Sequence, residues 1–233
     1  MIAVMIVNMY NNFKTYHFFY LLGALLLLLL TIPIVRDLYG TKNQLAGQIV
    51  FSTSLIFSVL GLTKSFKWLM IGLSLVLTGI TCSYLFIYSK HPALVYLELI
   101  SELLFLILTI IFAIKQVVSS DTINLHNIFG TICIYILLGV IWAILFLLAH
   151  LLIPGSFSGI YDGTQQIQLQ DFLYFSFVTL TTLGYGDLLP LSATAKTLAY
   201  IEAIFGQFYI ATLVAGLVAV HISSRDSGNP KQP

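Results

Sequence analysis

Six long apolar runs, at about 17–35, 46–63, 67–88, 93–114, 127–153 and 195–222, limit what this chain can fold into more than any other feature. Hydrocarbon offers no partner for a peptide N–H or C=O. A segment that crosses it must therefore be a helix, which bonds to itself, or a strand in a closed barrel. A helix needs about 20 residues to cross a core of about 30 Å, whereas a barrel strand needs only about 9–11. The length of the runs selects helices. Hydrophobic residues make up 59% of the 233 and charged residues 8%, a balance far from that of a soluble domain. The expected fold class is an all-α membrane protein with six transmembrane helices. The second run, with Ser52, Thr53, Ser54 and Ser58, is the least apolar, and its hydroxyls can bond back to helix carbonyls. Lys14 ahead of the first run resembles the start of a leader, but no small-x-small cleavage site precedes Pro33 and Arg36, so the run reads as a span.

An even number of spans places both termini on one side. With cytoplasmic termini the inner segments hold Lys14, Lys64, Lys67, Lys115, Arg225 and Lys231, against Arg36, Lys42, Lys90 and Lys196 outside, which favours that orientation in a multi-pass protein of the cell (plasma or inner) membrane. The first partner is the lipid bilayer. A net charge of +1 provides no field for nucleic acid. Cys82 and Cys133 lie within apolar runs and read as inert buried thiols. The histidines at 17, 91, 126, 150 and 221 have no metal-ligand spacing, and no nucleophile–base pair stands out. An enzyme is not expected, nor a bound cofactor.

One heptapeptide carries the functional information: Thr181-Thr182-Leu183-Gly184-Tyr185-Gly186-Asp187, placed after a short apolar helix and before the last span. A dehydrated cation needs oxygens to replace its water, and backbone carbonyls arranged around an axis supply them for potassium. Gly184 and Gly186 permit backbone angles that turn successive carbonyls to one side. On this reading Thr182, Leu183, Gly184, Tyr185 and Gly186 contribute the oxygens, with the Thr182 hydroxyl at the inner mouth and Tyr185 wedging the loop from behind. Phe172, Leu173, Tyr174, Phe175, Phe177 and Val178 form a re-entrant pore helix capped near Asp171, its C-terminal dipole end aimed into the pore near Thr181. Residues 154–170, rich in Gly, Ser and Gln, read as a turret. One loop cannot surround an ion, so a homotetramer is expected from a motif that occurs once.

Residues 127–223 resemble the tetrameric potassium channels, whose signature is Thr-Val/Ile-Gly-Tyr-Gly-Asp after an aromatic pore helix. The run Glu202-Ala-Ile-Phe-Gly-Gln is similar to many bacterial members, and by its spacing Gly206 matches the family's inner-helix hinge glycine. The resemblance implies a six-transmembrane, one-pore-loop subunit that conducts K⁺ passively. Leu183 replaces the usual Val or Ile. Phe175 stands where many relatives carry a Trp that ties to the aspartate after the filter, so Asp187 needs another partner, Tyr174 or water. Val178 stands where one bacterial subtype has a Glu behind the filter, which implies that a carboxylate-based inactivation is absent. Gly206 and Gly216 are candidate bends at the inner mouth, with close helix packing as the alternative at both and favoured at Gly216. Glu202 lies inside the last span and needs neutrality or a partner, with Thr179 and Thr181 as candidates.

The organisation expected is a four-helix peripheral membrane domain at 1–120, a pore domain at 121–223 and a short disordered cytoplasmic tail at 224–233. Voltage sensing needs several charges in the field, each worth about 2.3 kcal/mol per 100 mV. From Pro92 to Ile114 there is no Arg or Lys, so the first domain is not expected to sense voltage. Glu98 and Glu102 lie one turn apart on the same face, where a proton-sensitive pair competes with ordinary hydrogen bonding to neighbouring helices. The competing functional readings are a less selective cation channel and a channel-like subunit of a cation transporter.

Overall fold

The computed structural model describes residues 18–31, 33–34, 66–119, 125–159 and 169–227. Within them the chain forms α1 (Phe18–Thr31), followed by α2 (Phe66–Ser89), α3 (Pro92–Val118), α4 (Leu125–Leu152), β1 (Phe157–Ser158), α5 (Leu169–Leu180), β2 (Leu189–Pro190) and α6 (Ala193–Ser227). Four of these helices have stretches long and apolar enough to cross a membrane: Lys67–Ser89, Pro92–Val118, Asn127–Leu152 and Ala193–Gly216. They correspond to four of the six runs read as spans. Of the other two, the first appears as the shorter apolar helix α1, and 46–63 lies outside the described residues.

Helix ends follow local chemistry. Pro92 occupies the first turn of α3, where its missing N–H costs nothing, and His91 Nδ1 accepts from Ala93 N at 3.4 Å. Ser192 Oγ accepts from Ala195 N at 3.1 Å and caps α6. Asp171 sits inside the first turn of α5, where its charge complements the helix dipole. At the other end of the chain α6 continues to Ser227, so the tail expected from 224 begins within a helix.

The central helix is α4. Over its apolar window 67% is buried, against 22% for α2 and 11% for α6. It packs on α3, α5 and α6. Near its start it also meets α1, where Phe18 packs beside Gly130 and Cys133 Sγ approaches Phe18 O at 3.5 Å. At the far end Phe146, Phe157, Phe172 and Phe175 pack edge to face, with Phe146–Phe175 centroids 4.9 Å apart and Phe157–Phe172 5.1 Å. Phe157 reaches this cluster from β1, which pairs antiparallel with β2 in the register Phe157↔Pro190 and Ser158↔Leu189. This two-residue bridge has no counterpart in the sequence reading. It joins the segment after α4 to the segment after the 181–187 loop.

Two glycines beside β1 adopt left-handed angles, Gly155 at φ +77° and Gly159 at φ +85°. A Cβ at Gly155 would meet nothing, whereas one at Gly159 would overlap the Asp187 carbonyl oxygen. Thermal unfolding in detergent should separate the two cases. Gly155→Ala is expected to lose only the left-handed penalty of about 1–2 kcal/mol. Gly159→Ala adds a backbone clash and should lower the midpoint clearly further.

Candidate ion-conduction site

The 181–187 loop grows directly out of α5. Thr181 N bonds Phe177 O at 3.0 Å, and the Leu183 and Gly184 amides both reach Val178 O, at 2.9 and 3.3 Å. The last helical turn therefore uses its free carbonyls to hold the first loop amides. Tyr135 on α4 donates from its hydroxyl to Leu180 O at 3.2 Å and fixes the same helix end.

Beyond that point the backbone alternates. Thr182, Gly184 and Gly186 have φ of +61°, +56° and +79°, and among the described residues Lys90 is the one other non-glycine with positive φ. In a strand successive carbonyls point to opposite sides. Inverting every second residue turns them to the same side, and glycine supplies that inversion at no steric cost. At Thr182 the inversion is held against its Cβ, with the Thr182 hydroxyl 3.5 Å from Gln207 Nε2 and Thr181 Oγ1 donating to Phe177 O at 2.6 Å. The oxygens the segment offers are carbonyls and hydroxyls. Among the described residues no group of three or more His, Cys, Asp or Glu comes together to hold a metal.

The C-terminal end of the loop is tied by Tyr174, whose hydroxyl donates to Asp187 Oδ2 at 2.6 Å, while Leu188 N donates to Oδ1 at 3.0 Å. The Tyr174 ring also stacks on Tyr185, with centroids 6.4 Å apart and planes within 7°. Phe175 turns instead into the aromatic cluster with Phe146 and Phe157. The hydrogen bond from Tyr174 holds the Asp187 carboxyl below the usual carboxylate range, and the shared proton pushes Tyr174 up to about 12.

Deeper in the protein, Glu202 on α6 is fully buried, and its Oε1 lies 2.5 Å from Ser176 Oγ on α5. Neither Thr179 nor Thr181 takes the role suggested for it. Sequence reasoning misses Ser176, although the need of a buried carboxylate for a partner on the facing helix is a usable signal. Gly206 packs so closely that a Cβ would press on Leu180 O, whereas nothing lies within 4 Å of a Cβ at Gly216. Close packing within the chain thus belongs to Gly206 and not to Gly216. Glu98 is half-buried and Glu102 buried on α3, away from this loop in the chain order. Glu102 lies beside α2, where a Cβ on Gly79 would sit 3.8 Å from Glu102 Cγ.

In Tyr174→Phe the Asp187 carboxyl should return toward its ordinary range. A lowered folded-state value means that the tie is fully present above the ordinary carboxylate range, near pH 4, and is lost as pH falls through the lowered value. Any acid-side loss of ion flux through Asp187 should therefore move to higher pH in Tyr174→Phe. Flux measured across an acid pH series checks this.

Residues 130–222 match the model of a family described as "Ion channel". Two pore potassium channel c of Oryza sativa subsp. japonica is 35% identical over 34% of this chain and 19% of its own length. Two-pore potassium channel 5 of Arabidopsis thaliana is 34% identical over 29% of this chain and 16% of its own. Two pore potassium channel b of Oryza sativa subsp. japonica is 43% identical over 23% and 16%. The chain thus spans less than a fifth of the length of these relatives. With four helices long and apolar enough to cross a membrane, these likenesses support a multi-pass membrane protein, and its residues 130–222 are similar to those of an ion channel family.

Proposed function

We propose that four copies of this chain form a potassium-selective channel, with Thr182, Leu183, Gly184, Tyr185 and Gly186 of each copy supplying the oxygens that replace the hydration shell of K⁺. The observation that carries this reading is the alternation of φ sign at Thr182, Gly184 and Gly186. It orients carbonyls to one side in a stretch whose sequence is similar to a known potassium filter. The need for further copies is supported by exposure. Leu183 is 56% and Tyr185 67% exposed in the single chain, and Tyr200, Ile204, Phe205, Phe208 and Val214 leave a broad apolar face open on α6. Irregular backbone at membrane depth is tolerated only when protein shelters it or it lines water. The relatives carry "two pore" in their names, whereas the motif stands once in these 233 residues, and in this reading the other loops around the axis come from further copies.

In this reading the termini are cytoplasmic and Asp187 lies at the external mouth. Residues 121–223 conduct and residues 1–120 form a peripheral domain. α3 carries one basic residue, Lys115, in its last turn, too little charge in the field to drive steep gating. The gating candidates are Glu98, Glu102, Glu202, Gly206 and Gly216. Because Gly206 packs on Leu180 O, Gly206→Ala would disturb the end of the pore helix as well as any hinge.

Purified protein in liposomes is expected to pass K⁺ in preference to Na⁺, to be blocked by Ba²⁺, and to run as a tetramer by light scattering. Its conductance–voltage relation should be shallow. Gly184→Ala, which forces a Cβ into a left-handed position, should abolish the flux. A monomer, or equal passage of Na⁺ and K⁺, would overturn the reading, and the second result would point to a less selective cation channel.

A further inference from the structure

Three helices of the pore region meet at Ser176. Its Oγ lies 2.7 Å from the Gly139 carbonyl oxygen on α4 and 2.5 Å from Glu202 Oε1 on α6. Ser176 and Glu202 are both fully buried within the single chain. Two oxygens at such distances need a hydrogen between them, since without one the contact is repulsive. Ser176 has one hydrogen and two close oxygen neighbours. The Gly139 carbonyl can only accept, and an ionised Glu202 could also only accept, which leaves one hydrogen for two contacts. With a proton on Glu202 the count closes. The carboxylic O–H donates to Ser176 Oγ, and the serine hydrogen goes on to Gly139 O.

The other carboxyl oxygen leads to the same conclusion. Glu202 Oε2 is buried with no hydrogen-bond partner. That is tolerable for the C=O of a neutral acid, and very costly for half of a carboxylate. A neighbouring copy cannot supply the missing partner, because Glu202 has no exposed surface before assembly. Among the described residues no Lys, Arg or His forms an ion pair with it.

We propose that Glu202 is a neutral carboxylic acid and a positioning residue for the conduction loop. Its O–H starts a relay, Glu202 to Ser176 to Gly139, that fixes α5 between α4 and α6. The 181–187 loop continues from α5, so the relay sets where the carbonyl ladder stands relative to the inner helix. This role rests on the channel reading, whereas the protonation state does not. Phe177, the next residue on α5, lies so close to Gly139 that a Cβ there would sit 2.6 Å from its ring, so a small shift of α5 meets resistance on that side.

The test uses the full chain in liposomes. Infrared difference spectra of wild type against Glu202→Gln should show a protonated carboxylic C=O band at neutral pH that is absent from the variant. Glu202→Gln keeps a neutral donor in place of the O–H. It should retain K⁺ flux within about twofold and the K⁺ over Na⁺ preference, while Glu202→Ala and Ser176→Ala should each lose about tenfold in flux, as expected when a buried hydrogen-bonding group is orphaned. A missing band overturns the proposal, as does a Gln variant as impaired as Ala. Should Glu202→Ala fail to assemble, the wild-type band and the Gln variant still decide. A wild type without K⁺ flux would sink the channel reading and leave the band measurement standing.

Discussion

A backbone that leaves the helix at membrane depth has lost its own hydrogen-bond partners and cannot borrow them from lipid. On the channel reading, the 181–187 loop and its attachments answer that difficulty. Phe177 O accepts from Thr181 N and Val178 O from the Leu183 and Gly184 amides, so the start of the loop uses the carbonyls that the end of α5 would otherwise leave unpaired. Past Gly184 the sign alternation continues to Gly186, the pattern that turns successive carbonyls toward one side. A loop of this kind holds its shape only if its ends are held.

Three fastenings along α5 do the holding. At the C-terminal end of the loop Tyr174 ties Asp187, Gly159 lies against the Asp187 carbonyl, and the β1–β2 bridge holds the residues just after it. In the middle, Ser176 joins α5 to both α4 and α6. At the inner end Leu180 O receives Tyr135 and packs against Gly206. The fastenings sit at different heights along α5, so it cannot slide along its axis without breaking at least one polar contact. Packing alone would allow more freedom. The aromatic cluster of Phe146, Phe157, Phe172 and Phe175 supplies area but little that fixes height.

Much of this can be read from the residues, because the dominant signal is length. An apolar run that spans hydrocarbon needs no tertiary information to be a helix, and α2, α3, α4 and α6 follow the runs closely. The short helix α5 and the loop after it are legible from an apolar segment too short to cross, ending in two glycines spaced by one residue. What escapes depends on three-dimensional neighbours. Ser176, rather than Thr179 or Thr181, faces Glu202 because of how α5 rotates against α6. Phe157 and Leu189 lie in segments with no strand pattern, and a two-residue bridge leaves none to find. The extension of α6 to Ser227 is hidden because a polar stretch after an apolar span has the composition of a disordered tail. Ser223, Arg225 and Asp226 are compatible with a helix leaving the apolar layer, and the first strong breakers are Gly228 and Pro230.

The departures from the family pattern acquire a common explanation on the channel reading. If carbonyls alone meet the ion, side chains in the loop are free to serve packing, and Leu183 in place of Val or Ile alters only what lies behind the filter. Within one chain that side chain is more than half exposed, and on this reading a neighbouring copy covers it. At the mouth, the replacement of an indole donor is a shift in which residue donates. Tyr174 provides an O–H to Asp187, and Phe175, relieved of polar duty, turns into the apolar cluster against α4. A phenol carries its donor at the tip of the ring, and the ring that ties the aspartate also lies parallel to Tyr185. The donor bond and the ring stack therefore constrain each other. The backbone of the filter is held by a side-chain pair on the pore helix and the loop, in a place where the family resemblance alone leaves Asp187 without an assigned partner.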